Sequence, residues 1–173
     1  MGLGKIQEPF EFLLSTAPDF YKELSLGYQH VPKVFLFCDE TTQYFFLNHW
    51  TGIQGQVEYD FYKFLLKKFN ASCFARGGLF INQNEEQEIV LTLFNKDSDD
   101  GTDMISKVER DEENKVISLS DYKVYTSPKN EMVFGGLFDE LLASENQLQS
   151  LETIYFEIKP YLGKKEIPRV RTH

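Results

Sequence analysis

Two runs of strand-forming residues, VFLFC at 34–38 and QYFFLNH at 43–49, stand four residues apart in this 173-residue chain. The connection Asp39, Glu40, Thr41 and Thr42 is far shorter than the crossover of about a dozen residues that parallel neighbours need, so the two runs must pair antiparallel. Both alternating faces of the first run are apolar, and those of the second nearly so, which puts this hairpin inside the sheet with cover on both sides. Strand signatures recur downstream at 79–81, after Gly77 and Gly78, and at 88–94. Residues 104–110 and 115–119 read as a second hairpin around Asp111, Glu112, Glu113 and Asn114, with 122–125 adding a further strand.

Helical spacing surrounds these runs. Residues 8–14 carry Phe10, Leu13 and Leu14 on one side. A second short helix begins at Pro18 and Asp19, presents Phe20, Tyr21 and Leu24, and ends at Gly27. Residues 58–69 form the clearest helix of the N-terminal half: Glu58 and Asp60 open it, Lys63, Lys67 and Lys68 close it, and Phe61, Phe64 and Leu65 make the buried stripe. Asn70 can stop it. Phe138, Leu141 and Leu142 suit a short amphipathic helix. Ser144 and Gln147 then make a capping box before Leu148, Leu151, Tyr155 and Ile158, and Pro160 should end that helix near Lys159. The dense β-branched and aromatic run 153–158 competes as a strand. The chain therefore reads as α+β: a single domain over 1–163, mainly an antiparallel sheet with two hairpins packed by N-terminal, middle and C-terminal helices, with a basic C-terminal tail over 164–173.

Composition sets limits on function. Residues 85–113 hold 11 of the 27 acidic residues and 3 of the 18 basic ones, a net charge of −8 within a total of −9. Such a concentration makes a directional field that attracts cations and repels phosphate, so nucleic acid is an unfavourable partner. No apolar run reaches the roughly 20 residues of a membrane span, and the start of the chain lacks a signal-peptide stretch; a cytoplasmic location without membrane contact is the expectation. Cys38 and Cys73 lie in apolar or small-residue surroundings without CxxC spacing and read as reduced core thiols.

Catalytic signatures fail in turn. Gly2 and Gly4 before Lys5 lack the spacing of a phosphate-binding loop, and HExxH and GxSxG are absent. The run 96–103 invites a calcium loop, but with Gly101 at the sixth position the twelfth falls on Lys107, where a carboxylate is required. No cofactor or metal is expected. Asp39, Glu40 and His49 are the best candidates for an unrecognised enzyme site, although turn chemistry explains Asp39 equally well.

Residues 32–69, in the order strand, Asp-bearing turn, strand, Gly loop and aromatic helix, resemble part of a family of bacterial immunity proteins. The resemblance covers 38 of the 173 residues, rests on the order of elements and assigns no residue roles. It implies a protein that covers another protein. With the charge pattern, the expectation is an acidic protein-binding module, an immunity or inhibitor protein that neutralises a basic partner such as a toxin or a nucleic-acid enzyme. The expected binding residues are Asp97, Asp99, Asp100 and Asp103 on one loop and Glu109, Asp111, Glu112 and Glu113 on the next turn, with Tyr122, Tyr125 and Phe94 as candidate aromatic anchors.

Overall fold

The computed structural model describes residues 33–37, 42–47, 55–113 and 115–166. In chain order it contains β1 (Lys33–Phe37), β2 (Thr42–Leu47), α1 (Gln56–Lys68), β3 (Cys73–Ile81), β4 (Gln87–Asn95), β5 (Asp100–Arg110), β6 (Val116–Leu119), β7 (Lys123–Pro128), α2 (Glu145–Ile158) and β8 (Gly163–Glu166). The helices expected over 8–14 and 18–27, and Cys38, Asp39, Glu40 and His49, lie outside the described residues.

The sheet is antiparallel throughout, because each turn in its middle is tied to its own backbone. Asn82 Oδ1 accepts from the backbone N–H groups of Asn84 at 2.9 Å and Glu86 at 3.0 Å, which closes the β3–β4 connection. Asn95 Oδ1 accepts from the Asp97 N–H and Ser98 Oγ from the Asp100 N–H, each at 3.2 Å, which closes β4 onto β5. Asp111 Oδ1 takes the Glu113 and Lys115 N–H groups, both at 2.9 Å, and so makes the turn into β6. These are the Asx and Ser turns expected of short polar side chains beside a chain reversal.

The strand order is β6-β5-β4-β3-β1-β2-β8, so the β1–β2 hairpin lies inside the sheet. Strands β6 and β7 share one side of β5. Between them the Ser120 hydroxyl accepts from the Lys107 N–H at 2.8 Å, and the Ser106 hydroxyl donates to the Ser120 carbonyl at 2.6 Å. Residues 164–166 are part of β8, which pairs with β2.

Both faces of the central strands are buried. On one, Ala75, Ile89, Leu91, Leu93, Met104 and Ser106 are almost wholly enclosed. On the other, Phe74 and Phe94 receive the apolar stripe of α1, with Phe61, Tyr62, Leu65 and Leu66, and that of α2, with Leu151, Tyr155 and Ile158. Aromatic geometry fixes this layer: Tyr62 and Phe74 are tilted at 5.2 Å between centroids, Phe74 and Phe94 stack at 6.4 Å, and Phe64 and Phe69 meet Tyr155 edge-on. Asn70, at φ 49, ends α1 in the left-handed conformation that Asn tolerates.

The C-terminal helix forms as the spacing requires. Ser144 and Gln147 make the reciprocal capping box, and the strand alternative for 153–158 is not adopted. The amphipathic helix expected around Phe138, Leu141 and Leu142 does not form. Residues 132–139 run instead as successive turns, in which the chain folds back so closely that a Cβ on Gly135 would collide with the Lys129 carbonyl oxygen.

Gly101 shows how tightly the layer is packed. A Cβ there would stand 2.5 Å from Phe94 Cε1 and 2.6 Å from Met132 Sδ. Replacing Gly101 by Ala should lower unfolding free energy by about 1–3 kcal/mol through overpacking, read as a lower denaturant midpoint with an unchanged m-value; an equally stable variant would show that this layer is loosely packed.

Candidate functional site

The two helices cover only part of their sheet face, and cross-strand register shows where cover stops. The row Phe74–Phe94–Gly101 is buried beneath them; the next row, Arg76–Thr92–Asp103, is half-buried, and beyond it Val90 and Ile105 are half-buried and Phe80 is 45 % exposed. The turns after β7 wall this open stretch with Met132, Val133 and Phe134. Together they bound a groove of about 530 Å³, of the size and mainly apolar character of a ligand or side-chain receptor.

Its charge is set by an internal balance. Glu58, in the first turn of α1, accepts a hydrogen bond from the Tyr62 hydroxyl at 2.6 Å, and Arg76 Nε lies 3.3 Å from the same oxygen, at ion-pair distance but without the alignment of a hydrogen bond. Burial holds the Tyr62 phenol well above its ordinary range, and the Arg76 charge pulls it partly back. The Arg76 guanidinium lies 5.5 Å from the Phe134 ring centroid and 5.8 Å from that of Phe80. Arg76 is thus neutralised from below and covered by rings. Asp103 and Glu131, which also line the groove, have no ion-pair partner among the described residues; Asp103 Oδ1 accepts from the Thr92 hydroxyl at 2.5 Å. The groove therefore carries an uncompensated negative charge over an apolar floor.

The acidic residues singled out from the sequence do not form one surface. Asp97, Asp99 and Asp100 are exposed at the start of β5, while Glu109, Asp111, Glu112 and Glu113 are exposed at its far end. Eleven strand residues separate these ends by about 33 Å, against a screening length of about 10 Å at 0.1 M salt, so the two groups act as independent fields. Asp103 is not a loop residue: it sits within β5, opposite Thr92 and Tyr125. Much of the far group is engaged locally. Asp111 holds its own turn, Glu113 pairs with Lys115 at 3.3 Å, and Glu109 accepts from the Ser118 hydroxyl. The near group adjoins the groove, since the Lys129 N–H donates to the Asp99 carbonyl at 2.9 Å and Lys129 Nζ donates to the Asn95 carbonyl at 2.6 Å, tying the groove wall to the β4–β5 loop.

The aromatic candidates divide as well. Phe94 is core, and Tyr125 is 50 % exposed on the groove side of β7. Tyr122 has its hydroxyl enclosed with no hydrogen-bond partner among the described residues, and burial pushes its phenol up to about 12. Buried Cys73 is likewise pushed up to about 12, chiefly by burial, as befits an inert core thiol. Sequence reasoning missed Glu58, Arg76, Phe80, Glu131 and Phe134 as site residues. The alternation Phe74, Arg76, Gly78, Phe80 was the available signal, hidden because the strand was expected to start at 79. No group of three or more metal-ligating side chains occurs among the described residues, and no described helix is long and apolar enough to cross a membrane.

Phe134 has φ 65, an outlier for a bulky residue, and its ring is held by Tyr59 at 6.1 Å and Tyr62 at 5.7 Å as well as by Arg76. Such strain costs about 1–3 kcal/mol and persists only where packing enforces it. Phe134→Gly should therefore be more stable than Phe134→Ala by about 1 kcal/mol, the reverse of the usual order; the usual order in chemical denaturation would refute the strain. Tyr122→Phe should be neutral or stabilising, because it removes a buried hydroxyl that lacks a partner. Because burial raises the folded-state phenol to about 12, the parent should lose stability as pH rises from 10 through about 12, where the unfolded phenol ionises first; the variant should escape that loss in pH-resolved melts. Protein-family models, curated proteins and solved structures contain no match to this chain.

Proposed function

We propose that this protein is a binding module that captures a basic protein partner on the open stretch of its sheet face, in the manner of an inhibitor or immunity protein. The observation that carries the reading is the groove: among the described residues, Asp103 and Glu131 stand uncompensated on a floor of Val90, Phe80 and Phe134, while Arg76 in the same lining is already paired with Glu58. Asp97, Asp99 and Asp100 at the adjoining loop extend the same field, since Asp100 and Asp103 are about 10 Å apart along β5, within one screening length. They would steer a basic surface toward the groove, and Phe80, Tyr125 and Val133, with exposures of 45 %, 50 % and 78 %, would anchor it. The far acidic turn, Asp111 to Glu113, has no part in this contact and keeps the surface hydrated.

An enzyme built on Asp39, Glu40 and His49 is the alternative from sequence, and those residues lie outside the described structure. Among the described residues, the groove lining offers neither thiol nor imidazole, and no third group is bonded to the Thr92–Asp103 pair.

Selection from a displayed random-peptide library tests the proposal. Enriched peptides should be net basic and carry apolar residues, their association should slow as salt rises, and Asp103→Asn with Glu131→Gln should abolish the enrichment while folding is retained. Enrichment of neutral or acidic peptides, or basic peptides that bind the double variant equally well, would reject it.

A further inference from the structure

We infer that the groove receives an arginine side chain of the partner, in preference to lysine, and that Asp103 and Glu131 clamp its guanidinium. The inference rests on the reading of the protein as a module for a basic partner and specifies what that partner must present. Three observations point to arginine.

The first is charge. With Arg76 paired to Glu58, two carboxylates remain as the net charge of the lining among the described residues, and a cation is what they lack. One oxygen of Asp103 is held by the Thr92 hydroxyl at 2.5 Å, which fixes the carboxylate while its second oxygen has no protein donor among the described residues. A carboxylate with one oxygen fixed and one free accepts a guanidinium N–H at low entropic cost.

The second is surface chemistry. The groove already holds one guanidinium against rings, with Arg76 Cζ within 6 Å of both Phe80 and Phe134. The remaining lining includes Val90, Met132 and Val133. A planar, weakly hydrated guanidinium can lie on such a surface, whereas an ammonium gives up strongly held water that apolar walls cannot replace.

The third is the exclusion of the opposite ligand. A carboxylate directed to Arg76 would approach a guanidinium already balanced by Glu58 and would share the groove with Asp103 and Glu131. Like charges in a partly desolvated groove oppose that arrangement.

The test uses the whole, isotopically labelled chain and three capped single residues: the N-acetyl amides of arginine, lysine and citrulline, followed by NMR. Arginine amide should shift resonances of Val90, Val133, Phe80 and Glu131 with a Kd of about 1 mM, the strength expected of so small a ligand. Lysine amide should bind at least about fivefold more weakly, and citrulline, neutral and nearly isosteric, should leave the groove unchanged. Asp103→Asn with Glu131→Gln should weaken arginine binding about tenfold or more, since it removes both charge-assisted contacts of the clamp, with an unaltered melting curve. Equal binding of lysine and arginine would overturn the choice of arginine and leave the basic-partner reading standing. Citrulline binding as well as arginine, or arginine shifts that map away from the groove, would overturn the clamp. Failure of the peptide selection to yield basic sequences would instead overturn the underlying reading.

Discussion

One carboxylate joins the two halves of this structure. Glu58 leaves the first turn of α1, takes the Tyr62 hydroxyl from the next turn and meets Arg76 on β3. An arginine on a helix-covered sheet face is costly to enclose without an opposite charge, and breaking such a pair from one side costs about 3–5 kcal/mol when it is buried. The pair ties α1 to the strand it covers and cancels the positive charge Arg76 would otherwise give the groove. Helix docking and groove polarity are therefore set by the same contact.

The groove exists because the covering layer runs out. The cluster centred on Phe74 and Phe94 lies under α1 and α2, and the sheet presents more face than these two helices shield. Among the described residues, the turns after β7 wall the uncovered part. They are held by Lys129 on the Asn95 carbonyl, by the glycine closure at Gly135 and by the strained backbone of Phe134. Burial lowers the proton affinity of Lys129, while the neighbouring Asp99, Asp139, Cys73 and Asp97 partly oppose that loss.

Much of the architecture was legible in the sequence because it rests on local rules. The short connection between β1 and β2, the capping box at Ser144, the macrodipole-matched charges of α1 and the turn residues at 111–114 each act within a few positions, and each leads to the element observed. The groove was not legible, since it depends on register. Arg76, Thr92 and Asp103 are adjacent only because β3, β4 and β5 align as they do, and no spacing along the chain reports that. For the same reason the acidic run at 85–113 read as one patch: contiguous in sequence, it is drawn out along a full strand in space. The run around Phe138 misled because helical spacing of three apolar residues says nothing about Gly135 and Gly136 just before them, where the chain turns too tightly to begin a helix.

The interrupted strand beside β5 bears on solubility. An unbroken sheet edge offers a ladder of free amide groups on which another chain can polymerise. Here that ladder is cut into pieces of four and six residues by the detour through Ser120, whose hydroxyl and carbonyl are consumed by β5 itself, and the longer piece begins with Lys123 and ends with Pro128. Exposed Val124 and Ile117 would otherwise make this flank adhesive. The detour thus leaves the regular pairing along this flank in short runs, which gives an added strand little continuous backbone to match.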